Sequence, residues 1–586
     1  MRAWHSLAPI AVILATLSAF FACTGYGLCH CDDACYLLYR PEIASGLTLR
    51  GFCFVFGYVE QCIWMPLTFL TYMIERTLGL DWGGMHLVGL LWHAADAVLL
   101  YCLLVRLFGN RLVAVLAALI WSVHPLRVES VVWLASRKDV ISTFFLLLAL
   151  LAWVRGTVRA LVLSQALVVL GAMAKPSVML FPVFALAIDF LVTGRRKSAG
   201  AYAGSVALAV LIAVEANLLQ RAGGAGTLSD LIPAGYRLLN ALAALTVYLG
   251  NLLWPRKLAM QCMIRYPDAP CFSVLGGVVL AAAIGFVAYI VVPRFLRYRR
   301  DGDWEHLVCG GATANAVLAG ILVFFVGMGP FLGIAGFGIH AFADRFTLLP
   351  SLGISLALAA IAVRVPRCAV PLLGVAVVAL GFRCADQVGY WRDTETLLRH
   401  TLEVDREKNV DAQRALGVYY WDECHDMESC YRHLSQAMEG CWCDQVRDMV
   451  GVSCHFLIEA AYATGRKESA EDWYFWMRKW DWRQGGGAPT PEFQMAEVLW
   501  NLHSNAQNGL AEAERVLREM RENEPDSYLT RNAAYVIACR KGSAEERRMA
   551  LEACPCPSGV QCSNAWAKRL LSGSDATAVR GKGAVR

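Results

Sequence analysis

Charged residues are scarce in this sequence: Asp, Glu, Lys and Arg make up 17% of 586 residues, while 57% are hydrophobic. A water-soluble chain of this length carries more charge, and the apolar residues concentrate before residue 390. The first two thirds therefore read as a membrane domain. A basic stripe is also missing. The net charge is only +5, and Arg and Lys fall in short segments between apolar runs, which excludes nucleic acid as a partner. Cys23 lacks a lipoprotein-type approach sequence, so the opening MRAWHSLAPIAVILATLSAFFAC reads as an uncleaved signal anchor. The segment around Cys554, Cys556 and Cys562 offers metal-binding side chains but completes no tetrahedral set, and no metal site is assigned.

What is abundant is apolar length. Runs able to span a bilayer lie near residues 7–23, 85–105, 112–125, 139–154, 160–174, 177–193, 199–220, 272–293, 306–328, 346–363 and 369–386. If these eleven alternate, Arg106 and Arg111, Arg155 and Arg159, Arg195 to Lys197, Arg294 to Arg300, and Arg364 and Arg367 share one side, which should be cytoplasmic. A further run, 236–254, breaks the alternation and reads as an interfacial or re-entrant helix. The opposite side then receives residues 24–84, the 124–138 loop, Lys175, the 255–271 loop, Asp344 with Arg345, and everything after Tyr390. That side also holds Cys29, Cys31, Cys35, Cys53, Cys62, Cys262, Cys271 and the nine cysteines from Cys424 onward, as expected where disulfides persist. A bacterial inner membrane with a periplasmic tail, or an endoplasmic reticulum membrane with a lumenal one, fits this usage.

From Trp391 the texture changes to amphipathic helices. Ala513, Leu517 and Pro525 have the spacing of the second helix and closing proline of a tetratricopeptide repeat, and Leu416, Gly417 and Tyr420 match a first helix. The expected fold class is all-α: a polytopic helix bundle over residues 1–390, then a soluble helical repeat domain over 391–586. Such a repeat surface suits an extended peptide or partner protein; a structural cap is the plainer alternative.

Two outer segments carry the chemistry. CDDACYLLYRPEI places Asp32 and Asp33 just beyond the first span, where adjacent carboxylates can serve as a general base or hold a cation. HPLRVESVVWLASRKD supplies His124, Glu129, Arg137, Lys138 and Asp139, and Lys175 and Arg345 come from later loops. Cations beside acids suit an anionic group held near a base. Flanking cations commonly orient spans, but such signals belong on the inner side. His86 and His93, seven apart on one face, are expected to hydrogen-bond within the bundle, and Asp96 and Asp189 to make buried or interfacial polar contacts.

Taken in order, CDDACY with RPEIASGLT, WMPLTFLTYMIE, GMHLVGLLWHAADAVLL, HPLRVESVVWLASRKDV, AKPSVMLFPVFALAIDF, YLGNLLWPRKLA, ADRFTLLPSLG and WRDTETLLRHTLEV resemble membrane glycosyltransferases of the GT-C fold. The resemblance is to the transmembrane and tetratricopeptide repeat-containing O-mannosyltransferases and their bacterial relatives. It implies a polyprenyl-phosphate sugar donor, a protein acceptor whose hydroxyl is served by Asp32 and Asp33, and a membrane-embedded site. His124, Glu129, Arg137, Asp139, Lys175, Asp344 and Arg345 sit on matching motif positions. No cofactor is certain, and a divalent cation stays open. Trp64, Met65 and Pro66 stand where bacterial relatives read WHPLT, and DRFTLLP lacks a Tyr that relatives often carry. Two alternatives are a transferase acting on a glycolipid or surface polymer and a non-catalytic scaffold.

Overall fold

Helix boundaries are written into the chain by caps. Asp81 accepts a hydrogen bond from Gly84 N at 2.8 Å to start Trp82–Phe108, and Gly109, at φ 72°, ends it in the left-handed region. Asn110 caps Arg111–Ser122 and Thr157 caps Val158–Ala172 in the same way. The computed structural model describes residues 2–541 apart from 30, 38–39, 60–62, 196, 223–231, 261, 264–272, 302–311, 335–339, 406–408, 442–450, 452, 486–488, 504–507 and 524–527. Pro525 and the Cys554–Cys562 segment lie outside the described residues.

Seven described helices are long and apolar enough to cross a membrane: Leu7–Gly25, Trp82–Phe108, Pro176–Thr193, Ala199–Ala222, Ser273–Arg294, Thr313–Phe331 and Pro366–Gly389. An eighth appears if Arg111–Ser122 and Pro125–Val132, bent by 56°, form one broken span. The chain is a multi-pass membrane protein with an all-helical membrane domain. The other expected spans coincide with helices that are short, Val158–Ala172 and Ser351–Arg364, or charged at the start, Arg137–Arg155. The helix Ala234–Leu253 is present and is not among the candidate spans. Outside the helices, Cys262–Met263 pairs antiparallel with His340–Phe342.

Contacts divide the chain into two units, Met1–Val404 and Asp405–Arg586. Thr394–Val404 belongs with the first: Met260 N donates to Thr401 Oγ1 at 3.3 Å, and His400 Nε2 lies 2.9 Å from Leu258 O. Small residues set the helix packing in this unit. A Cβ on Gly320 would come within 2.4 Å of Gly353 O, so Ala312–Met328 and Ser351–Arg364 touch backbone to backbone. The turn Asp344–Thr347 precedes the second of these helices.

In the second unit, helices pack as neighbouring pairs: Val410–Tyr419 on Met427–Glu439, Cys454–Ala463 on Lys467–Gly485, and Pro491–His503 on Gly509–Asn523. Leu416, Tyr420, Ala513 and Leu517 are buried, and a Cβ on Gly417 would meet Leu434 Cγ at 2.6 Å. Glu459 is half-buried at the edge of this core, accepting from Trp421 Nε1 at 2.9 Å. Burial pushes its carboxyl up to about 7, only partly offset by the Trp421 hydrogen bond. With the folded value above the unfolded one, the protonated group's contribution is complete below about pH 4.5 and disappears as the pH rises to 7. Glu459→Gln should therefore stabilise this unit by about 2 kcal/mol at pH 8, discounting for partial exposure, and change little at pH 4. Hydrogen exchange of Cys454–Ala463 in the full chain, corrected for intrinsic rates, reads the difference, and equal protection at both pH values would refute it.

Candidate active site

The site begins at a break in a helix. His124 precedes Pro125, which disfavours helical backbone at His124 and leaves it extended at φ −69°, ψ 133°. Its Nδ1 accepts from Leu126 N at 3.2 Å while Nε2 lies 3.0 Å from Leu252 O. Both ring nitrogens are thus occupied, one as acceptor and one as donor, and the imidazole fastens the break to the end of Ala234–Leu253. His124 thereby positions the loop. After Val128–Val132 the chain turns again at Trp133 and Leu134–Ser136 before entering Arg137–Arg155.

Ala135, in that second turn, is a hub. Its N–H donates to Asp33 Oδ1 at 2.7 Å, and its carbonyl accepts from Lys138 Nζ at 2.9 Å. Asp33 Oδ2 accepts from Cys29 N at 2.9 Å, so this buried carboxylate stitches the segment after the first helix to the turn Leu134–Ser136. Lys138 Nζ also donates to Tyr36 Oη at 2.9 Å. Asp32 is half-buried, and its charge acts on both Lys138 and Arg345.

Around this hub the cations are paired. Arg345 forms an ion pair with Glu129, whose second carboxylate oxygen accepts from Arg345 N at 2.8 Å. Lys175 pairs with Asp139. Lys175 Nζ and the Arg345 guanidinium both lie against the Phe346 ring, at 5.8 and 5.0 Å from its centroid, and Arg345 also covers Trp133 at 5.3 Å. Burial opposes the charge on Arg345, but Glu129, Asp139 and Asp32 outweigh it and hold its guanidinium above its ordinary range. Asp344 behaves oppositely: burial, then the Glu129 carboxylate, keep its carboxyl well above the usual carboxylate range, with Arg127 and Asn251 pulling the other way. Asn251 Nδ2 is 3.5 Å from Asp344 Oδ1, and Tyr248 Oη accepts from Ala343 N at 3.2 Å. The helix Ala234–Leu253 therefore holds the Asp344–Arg345 turn.

Asp32, Asp33, Glu129, Lys138, Asp139, Lys175, Asp344 and Arg345 are thus connected by hydrogen bonds, ion pairs or short-range electrostatics. Arg137 makes its direct contacts elsewhere. It forms a buried ion pair with Glu75 and lies over the Tyr72 ring at 4.8 Å. Sequence reasoning missed Glu75 and Arg127. Arg127 is fully buried, donates to Thr347 Oγ1 at 2.8 Å and covers Trp121 at 5.7 Å. An arginine inside the HPLR motif, between apolar runs, was the available signal. Trp133 Nε1 and Asp139 Oδ2 are buried without a protein hydrogen-bond partner among the described residues. Unused polar atoms in a cation-lined setting are what a polar ligand can take up.

The remaining expected contacts are internal. His86 Nε2 lies 3.1 Å from Gly27 O and His93 Nε2 2.9 Å from Ser122 O. Asp189 accepts from Trp153 Nε1 at 2.9 Å and Tyr202 Oη at 2.8 Å. Asp96 is fully buried and has no protein partner among the described residues. Among the described residues no group of three or more His, Cys, Asp or Glu side chains is placed to hold a metal ion.

Comparison with known proteins yields partial similarity. The human protein O-mannosyl-transferase TMTC1 is 28% identical over 135 residues, covering 21% of this chain and 15% of that protein. Human protein O-mannosyl-transferase TMTC3 is 32% identical over 92 residues, 16% of this chain and 10% of its own length. The mouse TMTC1 protein is 28% identical over 135 residues, 21% of this chain and 14% of its own. The similarity thus spans a small part of each relative. No family model matches the chain.

Proposed function

We propose that this protein is a GT-C type membrane glycosyltransferase that moves a hexose, mannose in the first instance, from a polyprenyl phosphate to Ser or Thr hydroxyls of a protein. The observation that carries the proposal is the convergence of Lys138 and Arg345 on the half-buried Asp32, with Lys175 beside Arg345 on the Phe346 ring, from loops far apart in sequence. Partial similarity to named protein O-mannosyl-transferases supports it. In this reading the bundle crosses the bilayer eleven times, with the short and charged helices completing the count. The site and the tail then face the periplasm or lumen, and the tail is a tetratricopeptide-like surface that receives the acceptor.

The chemistry is one displacement. The acceptor oxygen forms a bond to the anomeric carbon while the carbon–oxygen bond to phosphate breaks, its electron pair leaving with the polyprenyl phosphate. The hydroxyl proton passes to Asp32, and the anomeric configuration inverts. A carboxylate is a weak base, so the proton moves late, as the attacking oxygen acidifies. Charge building on the leaving phosphate is met by Lys138, Lys175 and Arg345, already ordered by Tyr36, Asp139 and Glu129. Asp33 acts through the backbone: its carboxylate holds Cys29 and Ala135, and so positions Asp32 and Lys138.

Purified protein incubated with labelled polyprenyl-phosphate mannose and Ser/Thr peptides should yield an inverted O-linked glycopeptide. Lys175→Met should reduce turnover about 10²–10³-fold. Label appearing only in lipid or polymer would favour a glycolipid or surface-polymer transferase. No transfer to any acceptor would leave the scaffold reading.

A further inference from the structure

A second concentration of charge lies at the far end of the helix that leaves the proposed site. Arg137–Arg155 runs for 19 residues, about 27 Å at 1.5 Å per residue, nearly the thickness of a bilayer's hydrocarbon core. Two turns meet where it ends. Gly156 closes the helix at φ 76°, and a Cβ there would lie 3.6 Å from Lys197 Nζ, so the turn after Arg155 touches the turn after Thr193. Val158–Ala172 and Ala199–Ala222 leave these turns side by side. Gln165 Nε2 of the first donates to Ser205 Oγ of the second at 3.0 Å, seven and six residues beyond their respective starts.

The charges at this end do not balance. The only acid between Asp139 and Glu215 is Asp189, while Arg155, Arg159, Arg195, Arg196 and Lys197 all fall in or beside the two turns. Both oxygens of Asp189 are engaged: one accepts from Trp153 Nε1 at 2.9 Å and Tyr202 Oη at 2.8 Å, and the other pairs with Lys197 Nζ at 3.3 Å. The pair orders Lys197, whose side chain is 8% exposed. Arg155, Arg159 and Arg195 are exposed and form no ion pair among the described residues. Orienting a span during insertion needs only the number of charges. Here they also flank an ordered ammonium and adjoin an apolar stripe: Val158, Val162 and Val169, on the helical face of Gln165, are 78, 66 and 45% exposed. A cationic rim beside an apolar stripe complements a lipid with a negatively charged phosphate headgroup rather than a free phosphate. We propose that Arg155, Arg159, Arg195 and Lys197 form a headgroup site for an anionic phospholipid whose acyl chains lie along Val158–Ala172. The phosphate takes the exposed guanidinium donors, and Lys197, with one hydrogen on Asp189, offers its other two.

The test contains no sugar donor, so its outcome is independent of transfer. Full-length protein in detergent is equilibrated with equal amounts of phosphatidylglycerol and phosphatidylcholine of matched chains, and the retained lipids are counted by native mass spectrometry. Bound phosphatidylglycerol should exceed phosphatidylcholine at least tenfold. Arg155→Gln and Arg195→Gln should each lower that preference about fivefold, and together bring it near parity. Lysine at both positions keeps the charge and should keep most of the preference. Arg364→Gln with Arg367→Gln removes two exposed cations from another span end and should leave it unchanged. No preference in the wild type, an equal loss in the Arg364 and Arg367 pair, or displacement of the lipid by millimolar glycerol 3-phosphate would each overturn the proposal.

Discussion

Asp32→Asn is expected to lower turnover about 10²–10⁴-fold, the span usual for removing a general base, while leaving the protein folded. The prediction rests on the different environments of two adjacent carboxylates. Asp33 is fully buried, and each of its oxygens already accepts a backbone N–H, from Ala135 and Cys29. Its carboxylate is committed to holding two loops together. Asp32 is half-buried and next to the cations, and in the proposed reaction it is the carboxylate that meets the acceptor. Asp33→Asn replaces one acceptor oxygen by a donor facing an N–H, which should cost about 1–3 kcal/mol of stability and reduce activity largely through the folded fraction. Detergent melting curves alongside single-turnover rates separate the two variants. A destabilised Asp32→Asn with normal turnover per folded molecule, or an Asp33→Asn that melts normally and has lost chemistry, would reverse the assignment.

That difference was invisible in the sequence, where Asp32 and Asp33 are a dipeptide with no internal distinction. Which of them faces inward is decided by Cys29 and Ala135, four and 102 residues from Asp33. The membrane character was legible because apolar length is a local property. The number of long helices was less so, since a hydropathy window does not register the 56° break at His124 or the 15-residue length of Val158–Ala172. The charged residues between the apolar runs were legible as a set because charge beside apolar runs stands out. Their pairings were not: Glu129 meets Arg345 across 216 residues, and no periodicity connects them. The run 236–254 was singled out for breaking the charge alternation. Its structural contribution, Tyr248 and Asn251 holding the Asp344–Arg345 turn, depends on tertiary contacts.

Arg137 gives the second large effect. In the sequence it stands beside Lys138 and Asp139 as an equal candidate for phosphate binding, yet it is buried against Glu75 and Tyr72, with Tyr72 Oη donating to Leu134 O at 2.6 Å. Glu75→Ala should destabilise the protein by about 3–5 kcal/mol, because it strands a guanidinium in a protein interior, and Arg137→Ala should do the same by stranding the carboxylate. The double variant Glu75→Leu with Arg137→Met removes both charges and retains the bulk, so it should recover most of the stability. If Arg137 serves only to hold the helix Pro66–Thr77 against the turn Leu134–Ser136, the double variant also recovers transfer with an ordinary KM for the lipid donor. If the guanidinium instead contacts the donor phosphate, the double variant folds yet shows a raised KM or lowered kcat that no gain in stability repairs. The setting of the pair makes the first outcome the expected one: Arg137 is 1% exposed and enclosed by Glu75 and the Tyr72 ring, whereas Arg345, though paired with Glu129, keeps 11% of its side chain exposed, shares the Phe346 ring with Lys175 and acts on Asp32.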